Sequence, residues 1–193
     1  ETFATTGPRI KVRFFAGYDI QSDWLDHTDM ARKAYDSSVA MGSDLSPRDN
    51  QAPKFLVWAV RDPLAAPLQR IQIIKGYVKD GEHHEIVYDA ACSDGLSMDP
   101  ATNRCPDNGA SVNLTDCSIT GDVGAAELKN VWSDPDFDPA QEAFYYVRVL
   151  ENPTCRWSTW DALRAGVEPR SDLAKTIQER AWSSPIWYRG KES

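Results

Sequence analysis

Two β-rich runs, Arg70 to Val78 and His83 to Ala90, are separated only by Lys79-Asp80-Gly81-Glu82. Asp-Gly between such runs is a hairpin turn, because glycine accepts the positive φ that the turn demands. The rest of the chain is read around this antiparallel pair. FLVWAV (residues 55–60) is a continuous apolar run bounded by Pro53 and Asp62-Pro63, which fits a strand covered on both faces. Near the start, Ile10, Val12 and Phe14 alternate with Lys11, Arg13 and Phe15 after a Gly7-Pro8 turn, close to the period of a half-buried strand. Leu128 to Trp132 reads as a short strand, and a final apolar strand is expected to end at Tyr188. Helices are few. Thr28 is placed to cap one running through Met30, Ala31, Ala34 and Tyr35, with Gly42 as its stop, and a second is expected over Trp160 to Arg164.

In AFYYVRVLE (residues 143–151), Tyr145, Val147 and Val149 share one face while Tyr146 and Arg148 share the other. That pattern predicts a core strand, and its aromatic start resembles the tyrosine corner of immunoglobulin-like sheets. The fold class is therefore mainly β. An antiparallel β-sandwich is expected, with an immunoglobulin-like arrangement as one form of it, two or three short helices and a long stapled loop. No repeat, low-complexity segment or Gly/Ser linker divides residues 1–193, so one domain is expected.

The irregular stretch from Ala91 to Ala126 holds Cys92, Cys105 and Cys117, and Cys155 follows the core strand. No C-x-x-C pair suits zinc, so the cysteines are read as disulfides, for which three pairings exist. The expected one joins Cys92 to Cys105, closing a short local loop, and Cys117 to Cys155, tying the irregular segment to the end of the core strand. Disulfides persist in oxidising compartments, which predicts a periplasmic or secreted protein. A net charge of -8 and the lack of clustered Lys and Arg argue against nucleic acid as a partner. No apolar run approaches the ~20 residues of a membrane span. The opening residues lack the basic-then-apolar pattern of a signal peptide and already read as working structure, so the chain is expected to be part of a longer polypeptide.

Catalytic constellations are weak. His83 and His84 are adjacent on a strand and point to opposite faces, so they do not readily share a metal ion. SDPDFDP alternates Asp134, Asp136 and Asp138 as calcium loops do, but Pro139 and Tyr145 stand where such a loop needs glycine and glutamate. It is read as a solvated turn. No nucleophile elbow, phosphate loop or H-E-x-x-H motif occurs, and nothing local supports Cys155 as a nucleophile. Two stretches suit an anion better. TTGPR places Thr6 beside the permanent cation Arg9, and CRWSTW sets Arg156 beside Trp157 and Trp160. Arginine forks match carboxylate, phosphate or sulfate oxygens, and tryptophans dry such a site. The same residues also suit core packing and Arg-on-indole stacking.

ATTGPRIKVRFF (4–15), FDPAQEAFYYVRVLENPTCRWSTWDA (137–162) and IQERAWSSPIWY (177–188) together resemble the C-terminal portion of the bacterial domain-of-unknown-function family 3604, relatives of the PHP-type metallohydrolases. The resemblance implies an upstream barrel-like partner domain of the same polypeptide that carries a divalent metal, with residues 1–10 as the junction from it. It also implies hydrolysis of a phosphate, sulfate or similar ester. The family's metal motifs have no counterpart here, so no metal ligand or cofactor is assigned to these residues. In this reading Thr6, Arg9, Arg156, Trp157 and Trp160 are candidates for orienting an anionic small-molecule substrate. The alternative is a non-catalytic structural or carbohydrate-binding sandwich.

Overall fold

Both turn residues of the long hairpin, Asp80 and Gly81, have positive φ, 53° and 80°. This is the two-residue turn whose twist matches that of the strands it joins. The computed structural model describes residues 1–190; residues 191–193 of the expected domain lie outside the described residues. In chain order the strands are β1 (Phe3–Thr5), β2 (Lys11–Gly17), β3 (Val39–Ala40), β4 (Asp44–Leu45), β5 (Lys54–Val60), β6 (Leu68–Lys79) and β7 (Glu82–Cys92). They continue with β8 (Glu127–Ser133), β9 (Ala143–Glu151), β10 (Thr154–Cys155), β11 (Thr176–Ile177), β12 (Arg180–Ser183) and β13 (Ile186–Tyr188). The helices are α1 (Met30–Ser37), α2 (Trp157–Ala165) and a 3-10 turn at Ser22–Asp26.

A seven-stranded sheet is centred on β9, which pairs with β6 along one edge and with β12 and β13, end to end, along the other. Beyond them lie β7, β1 and β4, the last pairing in parallel with β13. A four-stranded sheet ordered β3-β2-β5-β8 faces it. Tyr145, Val147 and Val149 point into the shared core with Ile71, Ile73, Phe14, Phe55 and Val57. On the far side of β2 and β5, Phe15 and Leu56 pack under Ile20, Met30 and Ala34 in a second cluster. FLVWAV is thus covered on both faces, and the mainly β sandwich stands.

Five local expectations are corrected. α1 stops at Ser37, not at Gly42, because Ser38 turns extended and Val39–Ala40 pairs with β2. Its N-cap residue is Asp29, not Thr28, and makes no side-chain cap bond. α2 begins three residues before Trp160, since the Arg156 carbonyl accepts from the N–H groups of Thr159 and Trp160. The final apolar run is two strands, broken at Pro185, both paired to β9. Finally, the Tyr145 hydroxyl donates to the Asp134 carboxylate at 2.7 Å, so it is no tyrosine corner, whose hydroxyl bonds to backbone.

That last contact also corrects part of the reading of SDPDFDP as a solvated turn: Asp136 and Asp138 are exposed, but Asp134 is not. Asp134 is buried and pairs with the equally buried Lys75 at 2.6 Å. Lys75 Nζ also donates to the Asp136 carbonyl, and Tyr88 donates to the Asp136 carboxylate, both at 2.8 Å. Burial, then the nearby carboxylates, pushes both tyrosine hydroxyls well above their ordinary range. A buried ion pair holds only when its remaining hydrogen-bonding capacity is filled, and here tyrosines and backbone fill it. The disulfides are Cys92–Cys105 and Cys117–Cys155, with Cα separations of 5.7 and 5.6 Å. They fix the irregular segment between β7 and β8 to β7 and to the stretch after β9. No helix among the described residues is long and apolar enough to cross a membrane.

Candidate functional site

The three segments that carry the family resemblance are distant in sequence but adjacent in space. β1 pairs with β12 (Thr5 opposite Ala181), and β12 pairs with β9 (Ala181 opposite Val149). At the end of this three-strand ribbon the Thr6 hydroxyl accepts from the Arg180 N–H at 3.0 Å, and the Thr6 N–H donates to the Arg180 carbonyl at 3.0 Å. The Thr6 side chain therefore locks the ribbon. Three residues on, the Arg9 N–H donates to Asp62 Oδ2 at 2.9 Å while the Arg9 side chain stays exposed. Hydrogen bonds from the backbone of Arg9 and Leu64, then the Arg9 and Arg61 charges, hold the Asp62 carboxyl below its usual range.

Glu151 and Glu179 close this corner. The Glu151 N–H donates to the Glu179 carbonyl at 2.9 Å, so the two residues adjoin. Glu151 is 1% exposed, and its Oε1, like Glu179 Oε2, is shut from solvent without a hydrogen-bond partner among the described residues. Burial, followed by repulsion from Glu179 and Asp62 and offset in part by Arg61, pushes the Glu151 carboxyl up to about 8. A carboxylic acid at that value stays protonated at neutral pH and can donate a hydrogen bond. The corner thus presents one neutral acid, Glu151, beside Glu179, with two arginines and one ionised aspartate. Gln178 ties it to the large sheet, donating to the Glu151 carbonyl at 3.0 Å and to Gln69 at 2.8 Å.

Arg156 is not brought to this corner. It stands half-buried at the start of α2, its N–H bonded to the Lys175 carbonyl at 2.9 Å. The guanidinium over Trp160 is that of Arg164, 5.3 Å from the ring centroid, so the expected stacking of Arg156 on a tryptophan does not form. Trp157 and Trp160 are 71% and 38% exposed. No hydrogen bond or ion pair among the described residues joins Arg9 to Arg156. His83 and His84 are both exposed, and His84 stacks on Tyr77 with ring centroids 5.1 Å apart.

A model of the family described as a protein of unknown function, DUF3604, matches residues 1–190. The chain belongs to the DUF3604 family. No curated protein and no solved structure matches it. In this DUF3604 chain the divalent metal implied by the resemblance finds no seat: no group of three or more His, Cys, Asp or Glu among the described residues can hold an ion. The Glu151–Glu179 pair, with Arg61 and Asp62, was not singled out from the sequence, although one signal for it exists. Glu151 continues the inward series of Tyr145, Val147 and Val149, and a glutamate at an inward register position is costly unless its charge is suppressed or matched.

Proposed function

We propose that this DUF3604 chain is the β-rich part of an exported, metal-dependent hydrolase of the PHP type, acting on a phosphate, sulfate or similar ester. In this reading the metal is held by another domain of the same polypeptide, and the corner at Thr6, Arg9, Arg61, Glu151 and Glu179 faces it. The observation that carries the reading is the convergence of the three resembling segments on a corner where Glu151 is buried beside Glu179 and its carboxyl is pushed up to about 8. A protonated Glu151 does not repel an incoming anion, and the exposed Arg9 offers a permanently charged fork for its oxygens. The two disulfides fit an oxidising compartment, periplasmic or extracellular.

The test uses the full-length polypeptide. Arg9→Gln is expected to raise KM for an anionic aryl phosphate or sulfate about tenfold, the loss of one charge-assisted contact, with metal content and melting temperature unchanged. An unchanged KM would remove the corner from the substrate path. The second reading, a carbohydrate-binding module, is favoured by the outward Trp157 and Trp160, because burial of both indoles would have excluded a sugar platform. Loss of binding to a glycan array by Trp157→Ala would support it.

A further inference from the structure

One row of directly paired residues crosses four strands of the large sheet. Trp187 on β13 lies opposite Phe144 on β9, Phe144 opposite Gly76 on β6, and Gly76 opposite Glu85 on β7. Directly paired residues share a face, so these four lie in line on the outer surface of the sandwich. The glycine decides what the row looks like. A Cβ added at Gly76 would sit 2.2 Å from the Phe144 ring, so the absence of a side chain lets that ring lie down over the strand. Trp187, 41% exposed, meets it with ring centroids 5.2 Å apart. The result is an aromatic floor in a groove of about 770 Å³ between the tip of the β6–β7 hairpin and the loop before β9.

The rim is polar and of both signs. Lys79, Glu85 and Glu142 line the groove and are exposed, and their side chains make no hydrogen bond or ion pair among the described residues. Arg189 is already committed to Asp44 at 2.8 Å. An anion would meet two free carboxylates here, and a purely apolar segment would leave charged rim groups unpaired at its edges. A neutral polyol with one flat C–H face fits both parts: the face covers the aromatic floor, and the hydroxyls donate to Glu85 and Glu142 and accept from Lys79. We infer that this groove is a binding site for a neutral saccharide, distinct from the corner at Arg9 and from the α2 tryptophans.

The experiment titrates the full-length polypeptide with maltohexaose, cellohexaose, xylohexaose and chitohexaose, read by tryptophan fluorescence and by calorimetry. Binding of at least one is expected. Trp187→Ala should weaken it at least tenfold, and Glu85→Gln, an exposed change that leaves the floor intact, several-fold. Trp157→Ala should leave it unchanged. No binding by any of the four sugars would overturn the inference. So would binding that survives both Trp187→Ala and Glu85→Gln, or binding lost with Trp157→Ala alone, which would move the sugar to α2. Turnover of anionic esters is a separate readout, so failure here leaves the hydrolase reading as it stands.

Discussion

Glu151→Gln isolates the least ordinary group in the molecule. Its carboxyl rises from 4.5 to about 8 on folding. At about 1.4 kcal/mol per pH unit this sets a ceiling of about 4–5 kcal/mol on what deprotonation costs the fold. Between those two values the folded chain keeps a proton that the unfolded chain has lost. Stability from this residue is therefore full below about pH 4.5 and is lost as pH rises through about 8. Glutamine cannot titrate, so its melting temperature relative to wild type should climb over the same interval. If half the ceiling is realised, ~2 kcal/mol, the gap widens by about 4–8 °C between pH 5 and pH 9 for a chain of this size. The slope is the test, because the amide brings buried donors of its own and adds an offset that does not vary with pH. Glu179→Gln should leave a shallower slope than wild type, since burial and the Asp62 charge then remain without the Glu179 repulsion. Thermal melts at five pH values across that range would settle it, and a difference that stays flat with pH would refute the reasoning.

Three further outcomes follow from the geometry. Lys75→Met should cost about 3–5 kcal/mol in urea unfolding, because Asp134 is left charged and buried, whereas exposed Lys79→Met should cost almost nothing. Removing Cys117–Cys155 should destabilise by about 1 kcal/mol more than removing Cys92–Cys105, since it closes 38 residues rather than 13; equal losses on denaturation would contradict this chain-entropy account. In the full-length polypeptide Arg156→Lys, which keeps charge but loses the fork, should leave turnover of an anionic ester unchanged, because Arg156 stands at the start of α2 and not at the Arg9 corner. Weakened turnover at an unchanged melting temperature would put Arg156 in the substrate path and contradict this.

The hairpin, the inward face of β9 and the doubly covered β5 were legible because each is a local pattern: a turn dipeptide, a period of two, an unbroken apolar run. What the sequence hid depends on partners far along the chain. α1 ends where it does because Val39–Ala40 finds β2, and the last run divides because both halves pair with β9 on either side of Pro185. Asp134 looked solvated because its partner Lys75 lies 59 positions earlier, on a strand whose alternation alone does not reveal a buried ammonium. The candidate corner was half legible: TTGPR drew attention to Thr6 and Arg9, but Arg61, Glu151 and Glu179 become neighbours only when β5, β9 and β12 are assembled.

The central claim is that this sandwich serves a metal-dependent hydrolase whose metal lies outside these residues. Its most direct test measures metal content and ester turnover of the native polypeptide beside those of the 193-residue chain, both refolded with disulfides intact and offered the same divalent metals. The account predicts stoichiometric metal and chelator-sensitive turnover of a phosphate or sulfate ester in the native polypeptide, and neither in the isolated chain. A native polypeptide that binds no metal, or an isolated chain that turns over the ester after contaminating phosphatase has been removed, would contradict it.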